Sequence, residues 1–316
     1  MGTYVRTQTI DHAIGETGTF RLGVRSGDVR LRAIEGLEAH LRATFEITAA
    51  SEADADRLFD EVQMRVLRRD GELVVNEHED THTVGSMIGR LFGAGEHYEL
   101  TIDADLPAAA KLQLTAVSSD VEGAGFTGEQ RYRTVSGDLR LTDLAGSVQL
   151  ETVSGDASLQ ASSELAVQVQ TVSGDVSVTA PLLRSLRANT VSGDAEIEGE
   201  LDSSGDFKVE TVSGDFVLRL VGNATIEVHG LSTDVHSELD HRLEGQVDRR
   251  RVIIGSGGAR LLFNSMSGDV DVRRPRRINA RAKAEEPVPD SQLDVLRALE
   301  RGEIDVDEAT RRLGGR

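Results

Sequence analysis

Between residues 130 and 220, apolar and polar side chains alternate in short bursts, and each burst ends in the same five residues. Val167, Val169 and Thr171 share one parity before such a break, and Val176 and Val178 resume the alternation after it. Leu139 and Leu141 follow a second break, Phe216 and Leu218 a third. A period of two predicts half-buried strands. The break reads Thr-Val-Ser-Gly-Asp at Thr134–Asp138, Thr152–Asp156, Thr171–Asp175, Thr190–Asp194 and Thr211–Asp215. Weaker copies stand at Ser26-Gly27-Asp28, Val117–Asp120, Leu231–Asp234 and Met266–Asp269.

The motif serines from 118 onward fall at 118, 136, 154, 173, 192, 213, 232 and 267, in steps of 18, 18, 19, 19, 21, 19 and 35. A unit this short holds two or three strands and their corners, and cannot bury its own apolar side. Stacked copies can bury one continuous column. The expected fold is therefore all-β: a single-chain β-solenoid of about 19-residue coils, with parallel strands about 4.8 Å apart and a length of roughly 40 Å. A propeller blade needs about 40 residues and fits the period poorly. The last step is nearly two periods, which predicts one coil whose motif is lost or remodelled.

The turn residues are Ser136, Gly137 and Asp138; Ser154, Gly155 and Asp156; Ser173, Gly174 and Asp175; Ser192, Gly193 and Asp194; and Ser213, Gly214 and Asp215. Glycine permits positive φ, and aspartate can accept from nearby amides. Stacking brings the aspartates of successive coils together, at a repulsion of about 1 kcal/mol per pair in water. Cation binding would relieve it, but one Gly-Asp per coil is sparse beside calcium-binding nonapeptide repeats. The preferred expectation is that each carboxylate caps its own corner, with Thr and Ser forming hydrogen-bonded ladders.

Outside the repeat, residues 51–60 predict a helix with Ser51 as N-cap and Asp54 three residues on. Residues 62–77 predict a hairpin around Asp70-Gly71. Tyr98 to Ile102 alternates as a strand leading into Pro107. The expected organisation is an irregular β cap with first coils over 1–110, regular coils over 111–272, a basic and then proline-containing linker over 273–290, and a helical hairpin over 291–316. Helices at 291–301 and 306–313 would carry Leu293, Leu296, Leu299, Ile304 and Leu313 as candidate partner-docking residues. Residues 85–95 place four large apolar side chains among glycines and predict a loop over the open end, with an exposed partner-binding or membrane-touching loop as the alternative. Arg249-Arg250-Arg251 and the run RRPRRINARAK from 273 are candidate phosphate or headgroup contacts, with a solvated connector as the simpler reading of the second.

Composition narrows the function. Asp and Glu number 54 against 35 Lys and Arg, for a net charge of −19, so no nucleic-acid partner is expected. With no cysteine there is no disulfide, thiolate chemistry or cysteine-based zinc site. The sequence shows no signal peptide and no transmembrane segment, so a cytoplasmic location is the expectation. No HExxH or phosphate-loop motif occurs, and no metal or cofactor is expected. His78 and His82 stand four apart, in a segment that does not read as helix. Sugar-active solenoids use aromatic platforms, yet residues 133–206 hold no aromatic side chain.

The tandem Thr-Val-Ser-Gly-Asp coils, preceded by YELTIDADLP, resemble the putative-adhesin family of bacterial β-strand-repeat proteins over roughly residues 20–272. That resemblance carries over no catalytic residues and implies a protein of uncharacterised role. The tail LDVLRALERGEIDVDEATRRL is similar to short C-terminal helical-hairpin modules through Leu296, Leu299, Gly302, Ile304, Glu308, Ala309 and Leu313. Relatives with this arrangement imply a link to cell-envelope stress. The expected function is a non-catalytic scaffold for protein–protein interaction, with a protein partner or self-association engaged through the hairpin. The alternatives are an adhesin-like surface protein and, further off, a carbohydrate-active β-helix enzyme.

Overall fold

A computed structural model of the chain describes residues 1–77, 97–246 and 249–276. The expected helices at 291–301 and 306–313 with their five docking residues, the 85–95 loop, His78 and His82, and most of the 273–290 linker lie outside the described residues. Residues Met1–Pro275 form one compact unit. Among the described residues it is almost entirely β, with one helix, Glu52–Val62.

The regular coils have two sides. On the first, strand Glu129–Thr134 pairs in parallel with residues 147–152, those with 166–171, residues 166–170 with 185–189, and residues 186–192 with Phe207–Ser213. On the second, Val121–Ala124 pairs with 139–142, then 157–160, then 176–179, then Ala195–Leu201 and Phe216–Val221. Leu139, Leu141, Val148 and Leu150 of one coil point inward from both sides and stack on Ala157, Leu159, Val167 and Val169 of the next, in one buried cluster. The alternation read from the sequence thus marks the core. The 21-residue step is explained by an added turn, Asp202 to Asp206, where Gly205 donates its N–H to the Asp202 carbonyl.

The 35-residue step has a different cause from the one expected. No coil is lost. After strands Ala224–Ser232 and Val235–Ser237, the chain forms an antiparallel hairpin, His241–Gln246 with Arg249–Ile254. It then returns, and Ala259–Ser267 enters between Phe207–Ser213 and Ala224–Ser232, parallel to both. Val270–Arg273 enters likewise between Phe216–Val221 and Val235–Ser237. In space the serines run 213, 267, 232.

The N-terminal end uses the same device. Strands Thr19–Ser26 and Asp28–Ile34 sit between Glu72–Asn76 and His97–Pro107 on the outside and Lys111–Ser118 and Val121–Ala124 on the inside. The first coil is therefore in register with the repeat, with Ser26 opposite Ser118. Antiparallel strands Glu38–Ala49 and Gly2–Ala13 finish the second side. Antiparallel strands thus close the second side at the N-terminal end and the first side at the C-terminal end, where they withdraw the stack's own parallel edge from chance pairing. The hairpin around Gly71 (φ +68°) forms as expected. So does the helix, whose Ser51 Oγ accepts the Asp54 N–H at 3.2 Å, and which runs two residues past the expected end.

Candidate functional site

The five-residue motif builds one corner of every coil. Its serines pair from coil to coil: Ser154 with Ser173, Ser173 with Ser192, Ser192 with Ser213 and Ser213 with Ser267. Gly174 has φ +123°, and a Cβ there would lie 2.2 Å from the Gly155 carbonyl oxygen. Only glycine satisfies both the dihedral and the stacking distance.

The aspartates act between coils, which corrects the expectation that each caps its own corner. Asp138 accepts the Asp156 N–H, Asp156 that of Asp175, Asp175 that of Asp194 and Asp194 that of Asp215, all at 2.8–2.9 Å. Asp215 then accepts from Asp269, and Asp269 from Asp234, following spatial and not sequence order. The return bond joins main chains: Ala157 N–H reaches the Asp175 carbonyl, and Val176 N–H the Asp194 carbonyl, each at 2.9 Å. Directed charge-assisted bonds offset the like-charge repulsion that stacking imposes. Thr134, Thr152 and Thr171 donate their hydroxyls to Ser136, Ser154 and Ser173 carbonyls at 3.1–3.3 Å, within their own coils.

What the sequence reading missed is the second residue of the motif. Thr152 and Thr171 share the inward parity of Val148, Leu150, Val167 and Val169 and are buried. The valine after each threonine therefore falls outside. Val117, Val135, Val153, Val172, Val191, Val212 and Met266 are 44–57% exposed on seven successive rungs. At the strand spacing this apolar column is about 29 Å long. Between Val135–Val191 and the row Arg133, Glu151, Gln170, Asn189 runs an open groove of about 560 Å³ with the threonines at its base. Arg133 is tied to Glu151 at 2.7 Å, which fixes one rim. The parity of Thr171 was the signal that could have revealed the column.

Elsewhere, the polar ends of Glu77 and Tyr132 are held internally. Glu77 accepts the Tyr98 hydroxyl and the Arg25 N–H, each at 2.5 Å. Tyr132 donates to Gln130 at 3.2 Å, and complete burial pushes its phenol far above the usual range. Among the described residues, no three His, Asp or Glu side chains converge as a metal site, and no helix is long and apolar enough to cross a membrane.

The family model described as Toastrack DUF4097 matches residues 15–273, most of the chain and the whole stack of coils. The protein belongs to the Toastrack DUF4097 family. The matched span agrees with the 20–272 expected for the β-repeat resemblance, and the tail with its expected hairpin lies beyond it. No curated protein matches this Toastrack chain. Among solved structures it is similar to a proposed lipid-binding protein from Parabacteroides distasonis, at 13% identity over 85% of this chain and 97% of that one, with a TM-score of 0.43. A proposed adhesin from Bacteroides fragilis follows at 14% identity, 84% and 97% coverage and a TM-score of 0.39. A proposed cell adhesion protein from Clostridium sporogenes has 10% identity, 85% and 100% coverage and a TM-score of 0.27.

Proposed function

We propose that this Toastrack protein is a non-catalytic scaffold whose stacked coils hold an apolar column and its groove open to a protein partner. The observation that carries the reading is the valine column. Seven successive rungs keep a large apolar side chain about half exposed, although the core is already filled from the opposite parity. Contiguous exposed apolar surface on a rigid frame marks interaction sites. The partner that fits presents a straight apolar ridge, with hydrogen-bonding groups toward Gln170 and Asn189 on the rim. In the same reading the leucine-bearing tail, Leu293 to Leu313, supplies a second docking or self-association element, and the protein works in the cytoplasm.

The test uses three baits in lysate of the source organism: the full chain, Val153→Asp/Val172→Asp, and a chain ending at Pro289. The full chain should retain a partner that the valine variant loses, while both melt at the same temperature. Retention by the valine variant overturns the column as the docking surface. Loss on truncation alone would move that role to the tail. Surface labelling of intact cells separates the scaffold from the adhesin reading, which requires the protein to be labelled.

A further inference from the structure

The hairpin that closes the C-terminal end carries the outward rows of the first side one step further. Its Arg251 stands opposite Glu227 and Glu244, and Arg249 opposite His229 and Gln246. Arg260 reaches the same place from the inserted coil. Glu227 is only 10% exposed at its side chain and accepts from Arg251 at 2.9 and 3.2 Å and from Arg260. The hydrogen bond from Arg260, reinforced by Arg251, holds the Glu227 carboxyl below its ordinary range against the opposing effect of burial. One carboxylate thus orients two guanidinium groups and neutralises one. Arg249 forms no ion pair with a described residue. Arg250 meets Asp234 only at 3.8 Å, and Glu244 is engaged by Arg242 at 3.2 Å. Four arginines and His229 line one open cavity of about 480 Å³ with two carboxylates.

We infer that this cavity binds a phosphate-type oxyanion carrying two charges. Guanidinium forks match such groups bidentately, and forks arriving from the hairpin strand and from the inserted coil suit a tetrahedral anion better than a planar carboxylate. The Glu227 pairs hold two of the forks in place before the ligand arrives, which lowers the ordering cost of binding. The net charge of −19 repels anions at long range, so recognition rests on these local contacts. The shared chemistry is the phosphomonoester or pyrophosphate group, from a free metabolite or a lipid headgroup. The inference stands independently of the valine column.

The test titrates the full chain with inorganic pyrophosphate by calorimetry, and in parallel with phosphatidylcholine vesicles with and without phosphatidic acid. Saturable binding in either arm is expected, and the arm that binds more tightly names the source. Arg249→Ala and Arg260→Ala should each weaken binding about tenfold, the scale of one charge-assisted hydrogen bond. Arg249 is exposed, so its variant should keep the wild-type melting temperature. Absence of saturable binding in both arms overturns the inference, as does affinity unchanged in both arginine variants.

Discussion

The Asp156 carboxylate accepts the backbone N–H of Asp175, its counterpart in the next coil, at 2.9 Å. The bond crosses from one repeat to the next, so the motif is an interface device as well as a turn. The series runs in a single direction, from Asp120 to Asp234. The corner is exposed, and water can replace part of what is lost. Asp175→Ala should therefore cost about 1 kcal/mol, below the usual range for a charge-assisted bond. Asp175→Asn, which keeps an acceptor oxygen, should cost less. Urea midpoints of the two variants check the order.

Two glycines separate dihedral strain from stacking. Gly36 has φ +138° with open space where a Cβ would stand, whereas Gly174 has φ +123° with the Gly155 carbonyl oxygen 2.2 Å from that position. Gly36→Ala should cost about 1–3 kcal/mol from backbone strain alone. Gly174→Ala carries the same strain plus a backbone collision and should cost more, up to failure to fold. Thermal melts of both variants decide this, and equal losses would refute the collision between coils.

The threonine ladder is uneven. Thr171 donates to the Ser173 carbonyl at 3.3 Å, whereas the buried Thr211 hydroxyl has no protein partner among the described residues. Thr171→Val should destabilise by about 1 kcal/mol, and Thr211→Val should be neutral or stabilising. Chemical denaturation of each variant reads the difference.

Much of this architecture was legible because a motif repeated every 18 to 21 residues states the coil length directly. The Gly-Asp corner and the capped helix at Ser51 follow from local chemistry that neighbours in sequence decide. Coil order was not legible. Periodicity reports that Ser232 and Ser267 each begin a coil, but both would show the same alternation in either slot. The valine column was present in the parity of Thr171 and was overlooked because valine reads as a core residue. Arg249 to Arg251 stood out as a basic cluster, but Glu227 and Arg260, which complete the cavity, are separated from it in sequence and meet it only through the returning coil.

Glu227 gives the pH dependence a sign. Its carboxyl is held below the ordinary value. Its contribution to stability is therefore present above the unfolded glutamate pKa, about 4.3, and disappears as pH falls through the lower folded value. The stability difference between wild type and Glu227→Gln should be constant near neutrality and shrink on acidification below about pH 4.3. Urea unfolding at a series of pH values checks it. A difference that grows on acidification would contradict the sign.

The motifs form one continuous spatial ladder, in which the 259–273 coil lies between its two predecessors in sequence. The chain contains no cysteine, so engineered pairs report without background. Ser213 and Ser267 are direct partners, as are Ser232 and Ser267, whereas Ser213 and Ser232 are two rungs apart, about 10 Å at the strand spacing. A disulfide spans at most about 7 Å between Cα atoms. Cross-linking these pairs under mild oxidation tests the coil order most directly. Ser213→Cys/Ser267→Cys and Ser232→Cys/Ser267→Cys should cross-link, and Ser213→Cys/Ser232→Cys should not. Efficient cross-linking of the 213–232 pair, with none between 213 and 267, would contradict the returning coil and with it the continuity of the aspartate ladder and the valine column.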